Sequence, residues 1–318
     1  MHFQNNMAAD RNSSFKEWLK VVKKDFNRNY ALYLLVLPVI AFYAIFRYAP
    51  MYGVIIAFKR FSPGLGIWGS PWVGFKYFKE IFESFYFIRI VRNTILLNVY
   101  ELVFAFPMPM ILAIMLNEVK HQKFKRTVQS ISYLPHFVST VIICGMIHDF
   151  FSYDGIINDI IVAFGGTASP LLSNPKLFRL IYISTGVWQH IGWDSIIYLA
   201  AISKIDPELY EAGAMDGIGR FRQIFYITIP CIMPTVVILL LLNLGRIMSV
   251  GFEKVFLLYN PRTYETADVI STFVYRRGLL ENNYSYGTAV SLFNSVINFM
   301  LLVISNKIAR KVSDYSLW

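Results

Sequence analysis

Charged residues are scarce in this chain. Asp, Glu, Lys and Arg make up 16% of its 318 residues, against about 25% in an average soluble domain. Hydrophobic residues make up 56% and aromatic residues 17%, and the mean hydropathy is +0.47. Such a composition excludes an ordinary soluble domain, and the many aromatic side chains exclude a disordered chain. It indicates a polytopic membrane protein.

Cysteine and catalytic motifs are also sparse. The two cysteines, Cys144 and Cys231, both lie within apolar stretches, so neither a disulfide framework nor a thiolate metal site is expected. The sequence contains no G-x-x-x-x-G-K-[ST] phosphate loop and no H-E-x-x-H motif, so we expect no ATP hydrolysis by this chain. We therefore predict a protein that is not an enzyme and that binds no cofactor or metal itself.

Long apolar stretches account for most of the chain. A bilayer core about 30 Å thick needs roughly 20 apolar helical residues, and membrane helices tolerate proline where neighbouring groups satisfy the freed backbone. We predict an all-α fold with six transmembrane helices, at approximately 30–48, 90–117, 129–151, 178–201, 227–250 and 286–306.

Lysine and arginine are denser in both terminal tails and in the links after the second and fourth stretches than in the other loops. The positive-inside rule therefore places both termini in the cytoplasm, in a multi-pass protein of the inner (cytoplasmic) membrane. The same bias explains most of the net charge of +10 without a nucleic-acid partner. We divide the chain into a basic tail (1–29), a first span with an exterior loop (30–89), a core of five spans (90–307) and a cytoplasmic tail (308–318).

The basic tail contains an amphipathic stretch formed by Phe15, Trp18, Leu19, Val22 and Phe26, with lysines between them. We expect a helix that lies on the inner leaflet. A solvated helix is the alternative.

The cytoplasmic link after the fourth span is the most informative segment. Asp206 followed by Pro207 predicts a helix start, the helix should run to about Asp216, and Gly217 can end it in a left-handed conformation. A second short helix should lead from about Gly219 into the fifth span. Small residues on such a helix–turn–helix would allow another protein to approach closely. The carboxylates could then pair with arginines of that protein. A plain amphipathic surface link is the alternative.

One gapped pattern in this link resembles a known motif. Glu211-Ala212-Gly213 is followed by three residues, Gly217, nine residues and then Ile227-Thr-Ile-Pro230. This spacing is similar to the EAA motif of ABC-importer permeases, E-A-A, three residues, G, nine residues, I-x-L-P. The chain departs from it at Gly213 (alanine in the motif) and Ile229 (leucine).

Two further segments, 258–269 and the terminal Ser316-Leu-Trp318, look like the type I carbohydrate importers that handle complex oligosaccharides. Permeases for alginate and for pectin-derived oligosaccharides are the nearest comparison. The resemblance runs from about residue 90 to the C-terminus.

The resemblance implies a set of partners. These are a second permease subunit, two cytoplasmic ATPase subunits that carry the ATP and Mg²⁺, an extracytoplasmic solute-binding protein and an oligosaccharide substrate. The EAA helix would dock on one ATPase, with Glu211 paired to an arginine, Gly217 setting the turn and Asp216 bracing it. Ala212 and Gly213 belong to the same coupling segment.

Polar and aromatic residues in the fourth and fifth spans, and one just past the outer end of the fifth, are the candidates for the substrate pathway, because sugars bind through hydrogen bonds and flat aromatic faces. Polar residues within spans are costly and usually face a cavity or a partner. The candidates are Trp188, Gln189, His190, Trp193, Asp194, Asn243, Arg246 and Glu253.

Each candidate has an ordinary structural alternative. His190 could be a packing residue, and Trp188 and Trp193 could be interface anchors. Arg246 would suit a substrate carboxylate such as that of a uronate, but Glu101 or Glu253 could equally neutralise it.

Two other classes of protein fit the sequence less well. A stand-alone secondary transporter driven by an ion gradient would leave the EAA spacing as an accident, and the chain shows no internal repeat of the kind that such transporters often have. An intramembrane enzyme has no supporting motif. The sequence therefore favours an importer permease for oligosaccharides, with acidic, uronate-containing oligosaccharides such as alginate as a candidate substrate.

Overall fold

The computed structural model describes residues 24–312, with side chains described as far as 311. Over this range the protein is helical, apart from loops and an isolated β-bridge between Lys59 and Trp72. Most of the predicted amphipathic tail helix and the terminal Ser316–Trp318 lie outside the described residues.

The first helices, in chain order, are α1 (Lys24–Phe58), α2 (Lys76–Glu83), α3 (Phe87–Glu118), α4 (Gln122–Phe137), α5 (Thr140–Phe150) and α6 (Ile156–Ala163). The later ones are α7 (Pro175–Ile202), α8 (Pro207–Met215), α9 (Arg220–Leu244), α10 (Phe252–Leu258), α11 (Ile270–Val274) and α12 (Tyr284–Val312).

The chain divides into two compact units, residues 1–55 and 56–318. In the first unit the described residues belong to α1, whose apolar side chains are exposed around the helix, as at Leu34, Leu35 and Phe46. A helix that is apolar on all sides is expected where side chains face lipid. The apolar segment after the predicted first span continues this helix as far as Phe58.

Among the described residues, four helices are long and apolar enough to cross a membrane. They are α1, α3, α9 and the part of α12 from Tyr284 to Lys311. The bent pair α4–α5 brings the number to five if it counts as one span. α7 has 28 residues but is not in this group, because Gln189, His190 and Asp194 lower its mean hydropathy. The six-span arrangement therefore stays a prediction.

The continuous helix predicted over 129–151 is wrong. α4 and α5 are bent by 101° at a short break, where Val138 is extended and Ser139 begins a new helix by accepting a hydrogen bond from the backbone N–H of Ile142 (3.4 Å). Pro135 lies in the 3-10 turn before the break and lacks a backbone donor. A new cap directly after a proline turn redirects the chain.

The predicted fifth span, 227–250, is also revised. α9 ends at Leu244, and residues 245–248 form a turn. Arg246 therefore lies in a turn beyond the helix, whereas the sequence placed it within the span.

α7 lies at the centre of the second unit and packs against α4, α9 and the second half of α3. At one point α7 approaches α4 very closely, since a Cβ on Gly192 would overlap the backbone carbonyl of Ser132. Ala113, Tyr198, Ile202 and Ile232 form a buried cluster where α3, α7 and α9 meet. These three helices therefore share one buried core.

A buried carboxylate fixes the segment after α10 to α3. The Asp268 side chain is fully buried and accepts hydrogen bonds from Arg276 Nη2 (2.7 Å), Arg89 Nη2 (3.4 Å) and Thr272 Oγ1 (3.0 Å). Asn93 of α3 donates to the backbone carbonyl of Asp268 (3.0 Å). A buried charge is tolerated when it is paired in this way.

Candidate functional site

The helix predicted from the EAA-like segment is present as α8. Asp206 Oδ1 accepts a hydrogen bond from the backbone N–H of Glu208 (3.0 Å), and Pro207 occupies the first turn. Gly217 has a φ of +74°, the left-handed conformation that glycine adopts without steric cost. Local sequence signals thus mark the beginning and the end of this helix.

One side of α8 is held against the beginning of α9. The hydroxyls of Tyr210 and Thr228 lie 3.0 Å apart, and Gln223 Nε2 of α9 donates to the carbonyl of Tyr210 in α8 (3.4 Å) and to that of Ile218 in the turn (3.1 Å). Gly213 is buried, and a Cβ there would lie 3.0 Å from Ile227 Cδ1. Gly213 therefore serves the packing of α8 on α9, and its place in the coupling segment stays a prediction.

The other side of α8 is open. Glu211, Ala212, Asp216 and Gly217 are exposed, and Met215 is 89% exposed. This exposed face, which we call the coupling surface (Glu211, Ala212, Met215, Asp216), combines carboxylates with an apolar side chain on a helix that is itself anchored. Such a surface fits contact with another protein more readily than contact with solvent alone.

A cavity of ≈ 340 Å³ lies between α3, α7, α9 and the turn after α9. Its lining on α7 runs from Ile183 to Tyr198, about 22 Å along a helix that rises 1.5 Å per residue. Three of the residues predicted for the pathway, His190, Asp194 and Asn243, line it together. The cavity is elongated along α7, which suits a chain-like ligand.

Sequence reasoning missed part of this lining. Asn98 and Glu101 of α3 also face the cavity, and Glu101 was considered only as a counter-ion for Arg246. Their spacing of three residues in an otherwise apolar stretch places both on one helix face. That spacing is a signal for a polar cavity wall.

The remaining predicted pathway residues lie elsewhere. Gln189 is 3% exposed, and Trp188 borders a separate small pocket beside α5. Trp193 stacks on His136, with ring centroids 4.5 Å apart and an interplanar angle of 3°. His136 Nδ1 in turn lies 3.2 Å from His190 Nδ1, so this stack reaches the cavity through His190.

Arg246 and Glu253 are exposed and do not line the cavity. Within residues 24–312, Arg246 forms no ion pair with Glu101 or Glu253. Its neighbours Leu244 and Ile247 do line the cavity. The described residues also contain no group of three or more His, Cys, Asp or Glu side chains suited to a metal ion.

Known proteins match nearly the whole chain. Protein LplB of Bacillus subtilis (strain 168) is 43% identical over 302 residues, which cover 95% of this chain and 94% of that protein. The polygalacturonan/rhamnogalacturonan transport system permease protein YteP of the same organism is 42% identical over 288 residues, with 90% of each chain covered.

A solved structure shares the fold. It is a crystal structure of a bacterial ABC transporter involved in the import of the acidic polysaccharide alginate. One chain of it matches with a TM-score of 0.86 and 44% identity, covering 92% of this chain and 99% of that chain.

The family described as binding-protein-dependent transport system inner membrane component matches residues 105–314. That match covers most of the chain, and the cavity and the anchored coupling helix both fall within it or at its edge. The chain therefore belongs to this family, the permease subunits of ABC importers, and is a transport subunit rather than an enzyme.

Proposed function

We propose that this chain is one of two permease subunits of an ATP-driven importer for oligosaccharides that contain uronic acids. An extracytoplasmic binding protein delivers the substrate, and two ATPase subunits bind from the cytoplasm. The observation that carries this proposal is the coupling surface on α8, an exposed face of a helix whose other face is fixed to a helix that lines the cavity.

The connection from α8 to the cavity supports a mechanical role. Movement of an ATPase that holds Glu211 and Asp216 would be transmitted through the Tyr210–Thr228 contact to the beginning of α9. The other end of α9 carries Asn243 at the cavity wall. Rigid helices that rock about such contacts are a common way to alternate access between two sides of a membrane.

The substrate class is supported by the relatives and by the site. YteP is named for polygalacturonan and rhamnogalacturonan transport, and the matched crystal structure for alginate import; a second match contains an alginate pentasaccharide-bound periplasmic protein. The cavity offers amide, carboxylate and imidazole groups for sugar hydroxyls. Arg246, in the turn beside this lining and without an ion pair among the described residues, is a proposed contact for a uronate.

A six-span, N-in/C-in topology belongs to the same proposal. It adds α7 and the bent pair α4–α5 to the four apolar helices, and it places α8 on the cytoplasmic side with the ATPases. The density of lysine and arginine in the terminal tails and in the links after α3 and α7 supports it.

Co-purification tests the coupling surface. The tagged protein is extracted from its native membrane in mild detergent, and its partners are identified by mass spectrometry. We expect a second permease and an ATPase with the wild type, and loss of the ATPase with Glu211→Ala or Gly217→Ala.

Glu118→Ala is the matched control, since Glu118 is an exposed carboxylate at the end of α3 and not on α8. Full retention of the ATPase by Glu211→Ala would contradict docking through α8. Transport of solute by the chain alone, without ATP, would instead support a secondary transporter.

Uptake by the reconstituted importer tests the substrate. We expect ATP-dependent import of galacturonic acid oligomers. Arg246→Met should abolish this import while leaving assembly and basal ATPase activity intact. Unchanged uptake by this variant would show that Arg246 does not contact the substrate. The assignment of the chain as an importer permease would still stand.

A further inference from the structure

A lysine from outside the apolar spans reaches back to the wall of the cavity. Lys254 lies on the short helix α10, and its Nζ donates a hydrogen bond to the backbone carbonyl of Tyr182 on α7 (3.2 Å). The same Nζ lies 5.1 Å from the centroid of the Tyr182 ring. A Cβ on Gly186 would lie 3.4 Å from Nζ, so the absence of a side chain at Gly186 leaves room for the ammonium group.

This position leaves the charge of Lys254 incompletely compensated. Among the described residues, the Lys254 side chain forms no ion pair within 4.0 Å. Its ammonium group donates to the Tyr182 carbonyl. An ammonium group has three donors, and a partly buried cation without a counter-ion is costly. Spare donors and a positive charge without a counter-ion within 4.0 Å thus lie at one place.

That place adjoins the cavity. Ile183 and Gly186, beside the Lys254 contact on α7, both line it. Glu101 and His190, also lining residues, are close enough for the charge of Lys254 to act on each of them. The lining itself contains the carboxylates Glu101 and Asp194 and no lysine or arginine.

An acidic sugar would therefore meet repulsion from this lining unless a cation lay beside it. We propose that Lys254, in addition to Arg246 in the turn after α9, is such a cation and that its spare donors bind the carboxylate of a uronic acid at the edge of the cavity. This inference rests on the proposed function and names a specificity-determining residue within it. A lysine suits the role because it acts as a point charge without the bidentate geometry of arginine, so the substrate is held and then released.

The test compares acidic and neutral oligosaccharides of the same length in the importer assembled with its partner subunits in proteoliposomes. The probes are galacturonic acid oligomers and neutral galactose oligomers. Lys254→Gln removes the charge but keeps a donor for the Tyr182 carbonyl. We expect acidic uptake to fall about tenfold, as for the loss of one charge-assisted hydrogen bond, with neutral uptake unchanged.

Two further variants complete the design. Lys254→Arg restores the charge and should recover most of the acidic uptake. Lys176→Gln removes an exposed cation near the start of α7 and should leave the ratio of acidic to neutral uptake as in the wild type. Co-purification of the partner subunits checks that each variant assembles.

The outcomes separate the two proposals. If the wild type imports acidic oligomers but Lys254→Gln does so equally well, or loses acidic and neutral uptake to the same extent, the role of Lys254 is overturned while the proposed function stands. If the wild type imports only neutral oligomers, the acidic substrate class fails, and the role of Lys254 fails with it.

Discussion

At the residue scale, two ionisable side chains take positions that no local pattern specifies. Asp268 is a fully buried carboxylate held by two arginines, whereas Lys254 is a partly buried ammonium group held by a carbonyl and a ring. The first neutralises its neighbours and so stabilises the segment between α10 and α11. The second keeps its charge available beside the cavity.

The protonation of Lys254 gives a pH prediction. Burial lowers the pKa of Lys254 to about 8, from a usual value near 10.4, although Cys144 and Glu101 favour the ammonium form. Raising the pH through this value removes the positive charge, so the ratio of acidic to neutral oligosaccharide uptake should fall above a pH of about 8. Lys254→Arg should keep the ratio constant, because arginine stays protonated.

The ratio cancels pH effects on the ATPase, since both substrates depend on it. His190, Tyr182 and Glu101 also face this region, so the comparison with Lys254→Arg is the one that assigns the effect. An equal decline of the ratio in both proteins would assign it to another group.

Replacement of Asp268 should destabilise the protein. Asp268→Asn leaves Arg89 and Arg276 without their carboxylate, and breaking a buried pair costs about 3 kcal/mol. Glu281→Gln is the control, because its ion pair with Arg277 is exposed and is worth less than about 1 kcal/mol. Thermal unfolding in detergent should show a clear decrease for Asp268→Asn alone; equal midpoints for the two variants would contradict the clamp.

At the element scale, the sequence predicts α8 correctly, whereas it predicts one continuous helix where the structure has the α4–α5 pair. Asp206, Pro207 and Gly217 specify the beginning and end of α8 locally, and the helix forms where they indicate. The apolar run over 129–151 contained Pro135 and Ser139, yet hydropathy alone merged the two helices into one. In such a stretch, a proline followed by a capping serine predicts a break between two helices, even where the hydropathy is continuous.

The crossing of α4 and α7 gives a second stability prediction. Gly192→Ala would place a methyl group against the backbone of Ser132, which cannot move aside as a side chain can. We expect destabilisation of about 1–3 kcal/mol, the usual cost of overpacking.

Gly145→Ala on α5 is the control, because a Cβ there meets nothing within 4 Å and alanine favours helix by about 1 kcal/mol. Thermal unfolding of both variants in detergent measures the difference. A Gly192→Ala protein as stable as the wild type would show that the two helices are not packed as described.

At the scale of the whole molecule, cysteine labelling tests the predicted membrane topology. With both native cysteines replaced, Glu118→Cys and Arg262→Cys provide exposed single-cysteine sites that lie outside the coupling surface. We expect a membrane-impermeant thiol reagent to label Arg262→Cys in intact cells from which the wall has been removed, and Glu118→Cys only after lysis. The reverse pattern would overturn the N-in/C-in orientation.

The membrane class, most of the apolar helices and the position of α8 follow from local sequence, because hydropathy, caps and turn glycines act over a few neighbouring residues. The sequence also found three cavity residues, since polar groups within apolar helices are conspicuous. Three features depend instead on the packing of distant segments: Asn98 and Glu101 share that cavity, Gly213 faces inward, and Lys254 contacts Tyr182, 72 residues earlier in the chain. Such contacts depend on how distant helices pack against one another, and no local pattern encodes that packing.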